Sequence, residues 1–86
     1  MDLTVYGPLR SATGEKTVHV DPQGDTVGDL IAAFIAAYPR TASQLTDDSG
    51  DIRPSVRVMV DGTKVSSDEP LDSEQSVKLF PAMRGG

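Results

Sequence analysis

No cysteine occurs in the 86 residues. That excludes a disulfide framework, a thiolate nucleophile and any cysteine-ligated metal. It also fits a reducing compartment, and the expected location is the cytoplasm. Histidine is nearly as scarce: His19 stands alone, so neither a triad nor a histidine-rich metal centre can be built around it. It reads as an ordinary surface residue. No apolar run approaches the roughly 18 residues of a membrane span, and the opening "MDLTVYGPLR" contains no apolar stretch of signal length. Positive charge is short too. Eight bases, three of them lysine, face 13 acids, for a formal charge of −5. Such a surface repels nucleic-acid phosphates and anionic lipid. What remains is a small acidic domain with room for one hydrophobic core.

Residues 2–6, "DLTVY", alternate, with Leu3 and Val5 on one face and Thr4 and Tyr6 on the other, which is the period of a half-covered strand. Gly7-Pro8 stops it, because proline brings no donor to a continuing ladder. "LRSATGEK" then reads as a connector in which Leu9 and Ala12 tuck under the sheet. Residues 16–20, "KTVHV", alternate again with Val18 and Val20 inward.

The segment "TVGDLIAAFIAAYP" is the clearest element. Thr26 is placed to cap a helix, with Asp29 three residues on in a variant capping box. Val27, Leu30, Ile31, Phe34, Ile35 and Tyr38 follow helical spacing and form one broad apolar stripe. Pro39 disfavours helical geometry at Tyr38, so the helix ends there. Residues 40–55 are mostly polar and read as irregular, anchored by Leu45 and Ile52. "VRVMV" (56–60) is a strand with its valines inward, and Asp61-Gly62 is a strong hairpin turn signal leading to a short strand. "VKLF" (77–80) is the last strand, with Val77 and Leu79 inward. One amphipathic helix across one face of a mixed four- to five-stranded sheet buries both apolar faces, an α+β arrangement of the β-grasp, ubiquitin-like type. The first and last strands are expected to run parallel in its middle. The expected division is a domain over 1–80 and a C-terminal tail over 81–86.

Other features carry no site. "DDSGD" (47–51) suggests calcium, but a twelve-residue loop starting at Asp47 lacks the glycine at its sixth position and the late glutamate. "PQGDTVG" matches neither phosphate-loop spacing. Phe34 and Tyr38 on the helix are core candidates rather than cofactor contacts.

The ending "LFPAMRGG" is different. Two given positions are both glycine by chance only about 0.5–1% of the time, so Gly-Gly directly beyond a last strand is a signal. Pro81 biases Phe80 towards an extended backbone, so the chain leaves the sheet straight. Six residues from Pro81 to Gly86 reach about 20 Å, enough to thread a narrow channel in another protein. Gly85 and Gly86 have no Cβ to keep channel walls or a nucleotide at a distance. The α-carboxylate of Gly86 is ionised at neutral pH, with an ordinary pKa of about 3.5. Alternation turns Arg57, Met59, Lys78 and Phe80 outward, so Met59, Phe80 and Met83 make an apolar patch beside the tail.

These pieces resemble the ubiquitin-like sulfur carriers and protein modifiers: the molybdopterin-synthase small subunit, the thiamine sulfur carrier and the small archaeal modifier proteins. The matching residues are "LR" with Gly14 after the first strand, "TVGDLI", "YP", "VRVMVDG" and "LFPAMRGG". The family more often has two prolines and small residues before Gly-Gly, whereas Ala82, Met83 and Arg84 stand here. Arginine directly before the glycines is nearer to the ubiquitin ending.

The resemblance implies a chain that is no enzyme itself and stably binds no metal or cofactor. ATP and magnesium would come through a ubiquitin-activating-like adenylyltransferase that adenylates Gly86. The carbonyl would then pass to a target lysine as an isopeptide bond or become a thiocarboxylate for a sulfur-accepting synthase. Gly85 and Arg84 would thread the partner's channel, and Phe80, Pro81, Met83 and Met59 would dock. The chain would act as a monomer without nucleic acid or membrane. Two alternatives stand beside this reading: a dedicated sulfur carrier for molybdopterin or transfer RNA, and a non-covalent β-grasp module with an inert tail.

Overall fold

Strong alternation forces the first strand, β1 (Asp2–Val5), to put Leu3 and Val5 into the interior while Asp2 stays exposed. The computed structural model describes residues 1–72 and 74–81; the expectations for Ala82 to Gly86, and with them Met83, Arg84, Gly85 and Gly86, lie outside the described residues. After β1 come α1 (Pro8–Thr13), β2 (Thr17–His19), α2 (Val27–Ala37), a 3₁₀ turn (Pro39–Thr41), α3 (Ala42–Leu45), β3 (Arg57–Val60), β4 (Thr63–Val65) and β5 (Val77–Phe80).

The sheet order is β2-β1-β5-β3-β4. β5 is central. It runs parallel to β1, with Val5 opposite Leu79, and antiparallel to β3, with Arg57 opposite Phe80. The β-grasp expectation holds, with five strands. Helix α2 covers one face, and Val27, Leu30, Ile31 and Phe34 meet Leu3, Val5, Val18, Val58, Val60, Val77 and Leu79 in a single buried cluster. Ile35 and Tyr38, at the edge of the same stripe, are only half-buried.

The capping box forms as the sequence indicates. The Asp29 amide donates to the Thr26 hydroxyl oxygen at 3.2 Å, and the Thr26 amide donates to the Asp29 carboxylate at 3.3 Å. Two further donors of the first turn, which have no partner within the helix, are satisfied from outside it. Val27 N–H reaches the Glu69 carbonyl at 2.9 Å, and Gly28 N–H reaches the Ser67 carbonyl at 2.6 Å. A Cβ on Gly28 would stand 3.1 Å from that carbonyl, so a bare residue lets the β4–β5 loop lie against the helix start.

Two expectations need correction. The connector after β1 is helical over Pro8–Thr13. Proline at the first helical position loses no hydrogen bond, and Gly14 closes the helix in the left-handed conformation (φ 79°), its N–H bonded to the Arg10 carbonyl at 2.8 Å. The stretch read as irregular after Tyr38 begins with the 3₁₀ turn and α3, which bury Thr41 and Leu45. Both helices are too short for a hydrophobic period to show in the sequence. The Asp61-Gly62 turn is as expected: both residues have positive φ, 50° and 85°, between the paired Val60 and Thr63.

Candidate functional site

The sheet topology sets where β5 ends. Because β5 is parallel to β1, its last residue lies beside the corner where β1 enters α1; because β5 is antiparallel to β3, it also lies beside the start of β3. Tyr6 N–H donates to the Leu79 carbonyl at 3.2 Å, which extends the parallel ladder by one step. On the open face of the sheet the rings of Tyr6 and Phe80 stack, with centroids 4.3 Å apart and planes 10° from parallel. Arg10, on the first turns of α1, lies over the Tyr6 ring with its guanidinium carbon 5.0 Å from the centroid. Its Nε donates to the Val5 carbonyl at 3.0 Å, and this bond holds the cation against the aromatic face.

Phe80 is therefore half-buried because Tyr6 covers one face of its ring. Met59 is half-buried between two lysines in register, Lys78 on β5 and Lys64 on β4. Pro81 is buried and adds nothing to the exposed patch. Phe80 and Pro81 line a cleft of about 380 Å³ together with Pro54, Ser55, Arg57 and Lys64. Two clefts of about 450 Å³ lie elsewhere, one between α2 and the loop around Ile52 and the other along β4. Neither is lined by Phe80 or Pro81.

Sequence reasoning turned Phe80 and Met59 outward from alternation alone, and both are half-buried on the open face. It missed Tyr6 and Arg10 as members of the same site, although Tyr6 was already assigned to the outward face and "LR" belonged to the family pattern. Their meeting with Phe80 depends on the β1–β5 pairing, a contact across more than 70 residues that no local pattern encodes.

At the opposite end of the open face, His19 is exposed and bracketed. Its Nδ1 lies 2.9 Å from Asp2 and its Nε2 lies 3.1 Å from Asp21, with the Met1 amine 3.2 Å from Nε2. The hydrogen bond to Asp2, reinforced by Asp21, raises the His19 pKa above its ordinary value, while the positive amine opposes the shift. Among the described residues, no group of three or more His, Cys, Asp or Glu is placed to hold a metal ion. No helix among them is long and apolar enough to cross a membrane.

Comparison with known proteins agrees with this geometry. The model of the ThiS family matches residues 3–86. The chain is 31% identical over 87 residues to small archaeal modifier protein 1 of Haloferax volcanii, covering all of both chains. A crystal structure of that modifier from Haloferax volcanii superposes with a TM-score of 0.89 at 30% identity, over 99% of this chain and 97% of the other. CysO, an antigen of Mycobacterium tuberculosis, superposes with a TM-score of 0.79 at 27% identity, over 95% of this chain and 98% of that one. A helix-backed five-stranded sheet with parallel first and last strands, and a family match that runs through the terminal Gly-Gly, make this chain a member of the ThiS family of ubiquitin-like β-grasp proteins.

Proposed function

We propose that the chain is a ubiquitin-like protein modifier and sulfur carrier whose working group is the α-carboxylate of Gly86. The observation that carries this reading is the position of β5. The central strand, fixed on both sides by its neighbours, delivers Pro81 to the rim of the sheet beside the Tyr6–Phe80 stack. A rigid body with its last strand locked in place hands the following residues to a partner in a defined direction. Family membership through residue 86 supports the same role.

The partner is an ATP-dependent adenylating enzyme related to ubiquitin-activating enzymes. It docks on Phe80 and Met59, with Met83 as a further apolar contact, and takes Arg84, Gly85 and Gly86 into its own site. A carboxylate oxygen of Gly86 attacks the α-phosphorus of ATP, pyrophosphate leaves, and the acyl-adenylate forms. A sulfide sulfur then attacks the carbonyl and expels AMP, leaving a thiocarboxylate for a sulfur-accepting synthase. Alternatively, a lysine amine attacks, expels AMP and loses a proton, and the body is joined to its target through an isopeptide bond. ATP and magnesium enter with the enzyme; the chain itself supplies the acyl group and the docking face, not catalysis. A cytoplasmic location, where ATP is plentiful, fits this reading.

The test is ATP–pyrophosphate exchange by the adenylating enzyme of the source organism. Exchange should depend on this chain and vanish when Gly86 is deleted. Retention of partner binding with no exchange in the full-length chain would show a non-covalent module instead. Intact mass of protein isolated from its host separates the two fates of the adenylate. A gain equal to replacing one oxygen by sulfur marks the thiocarboxylate; tryptic target peptides bearing Gly-Gly on lysine, after cleavage at Arg84, mark the modifier.

A further inference from the structure

The chain carries 13 acids and eight bases, but they are not evenly mixed over its surface. The register sorts the open face of the sheet into three rows. The row at the root of the tail holds the Tyr6–Phe80 stack, with Arg57 opposite Phe80 and Arg10 over Tyr6. The next row runs Thr4, Lys78, Met59, Lys64 across adjacent strands. The row farthest from the tail holds Asp2 and His19, with Asp61 in the turn that ends β3.

Arg10, Arg57, Lys64 and Lys78 are all exposed, and among the described residues none of them forms an ion pair within 4 Å. Most of the acids gather elsewhere: Asp29 on α2, Asp47, Asp48 and Asp51 beyond α3, and Asp68, Glu69, Asp72 and Glu74 between β4 and β5. Exposed Glu15, next to the Lys16 carbonyl that accepts from Val5 N–H, is the exception at this end. One end of one face is thus basic around an aromatic and methionine centre, on a body that is otherwise acidic. Like charges held together without counter-charges raise the local potential, and such a patch attracts and orients an oppositely charged surface.

We propose that this basic end of the open face is the docking surface for the adenylating partner, and that the partner meets it with carboxylates around an apolar spot. The proposal rests on the carrier reading above and specifies the chemistry of its partner. An acidic partner surface repels most of this body and attracts only the end from which the tail emerges. Electrostatic steering therefore brings the tail in first, before any short-range contact forms. Arg57 and Lys64 share the cleft with Phe80 and Pro81, so the attracting charges and the root of the tail make one continuous surface.

The test is the same exchange assay, run as a concentration series of the carrier at low and high salt. For the pair Arg57→Glu and Lys78→Glu, KM for the carrier should rise about tenfold or more, with the loss falling on KM rather than kcat. Added salt should raise the wild-type KM and have a weaker or reversed effect on the variant, because screening weakens attraction and repulsion alike. Asp48→Lys, outside the patch, should leave KM unchanged. A thermal melt checks folding; if the charge-reversed pair fails to fold, Arg57→Gln with Lys78→Gln should still raise KM by a smaller factor. A folded variant with unchanged KM, or a wild-type KM insensitive to salt, overturns the acidic-partner proposal while exchange itself still upholds the carrier. Absence of exchange with the wild-type chain overturns the carrier reading and this proposal with it.

Discussion

The two faces of the sheet are made by alternate residues of the same five strands, and they differ in every physical respect. Beneath α2 lie Leu3, Val5, Val18, Val58, Val60, Val77 and Leu79, each no more than 5% exposed. On the other side lie Thr4, Tyr6, Arg57, Met59, Lys78 and Phe80, which are exposed or half-buried. The inner face is aliphatic and interchangeable in kind: what matters there is volume removed from water. The outer face is individual, with one aromatic stack, one methionine and a set of cations in a fixed order. Stability resides on the first and the proposed recognition on the second, and the period of two keeps them apart.

Neighbours Leu79 and Phe80 on β5 give the sharpest way to break the comparison. Leu79 is fully buried, so Leu79→Ala should cost about 2–5 kcal/mol of folding free energy, read by urea denaturation. If it cost no more than an outer-face substitution, the division of roles would be wrong. Next comes the turn that pins the register, since a slip of one residue would exchange the two faces. Gly62 has φ 85° with open space around it, so Gly62→Ala meets backbone strain and no clash. It should cost about 1–2 kcal/mol in the same measurement.

Phe80→Ala should be milder for stability. It removes a stack worth about 1 kcal/mol beyond its buried area, yet it should raise the carrier KM in the exchange assay, an effect Leu79→Ala should not show while the protein is folded. The smallest effect should come from the far end of the outer face. The folded-state pKa of His19 is raised above its unfolded value. The stabilisation is therefore fully present below about pH 6.5 and is lost as pH rises through the higher folded value. Asp2→Asn should flatten that slope, as followed by melting temperature between pH 5 and pH 8, because the bond to Asp2 is its leading cause.

Much of this was legible in the residues. The capping pair Thr26 and Asp29, the apolar stripe of α2, the Asp61-Gly62 turn and the inward valines all act within a few positions of one another, so their spacing alone fixes what they do. The same applied to the outward direction of Phe80 and Met59. Burial of Pro81 was not legible, because it depends on what surrounds the end of a central strand. Helix α1 was hidden because Gly7-Pro8 reads as a stop, whereas proline at the first helical position is harmless.

The sequence by itself determined the periods, the caps, the turn and therefore which side chains go in and which go out. Only the tertiary structure decided who stands beside whom on the outward side. Pairing β1 with β5 joined Tyr6 to Phe80, and pairing β3 with β4 and β5 set Arg57, Lys64 and Lys78 around Met59. The physical reason is range. Local periodicity is enforced by backbone geometry over a few residues, whereas a recognition surface is assembled by hydrogen-bonded pairing of segments far apart in the chain.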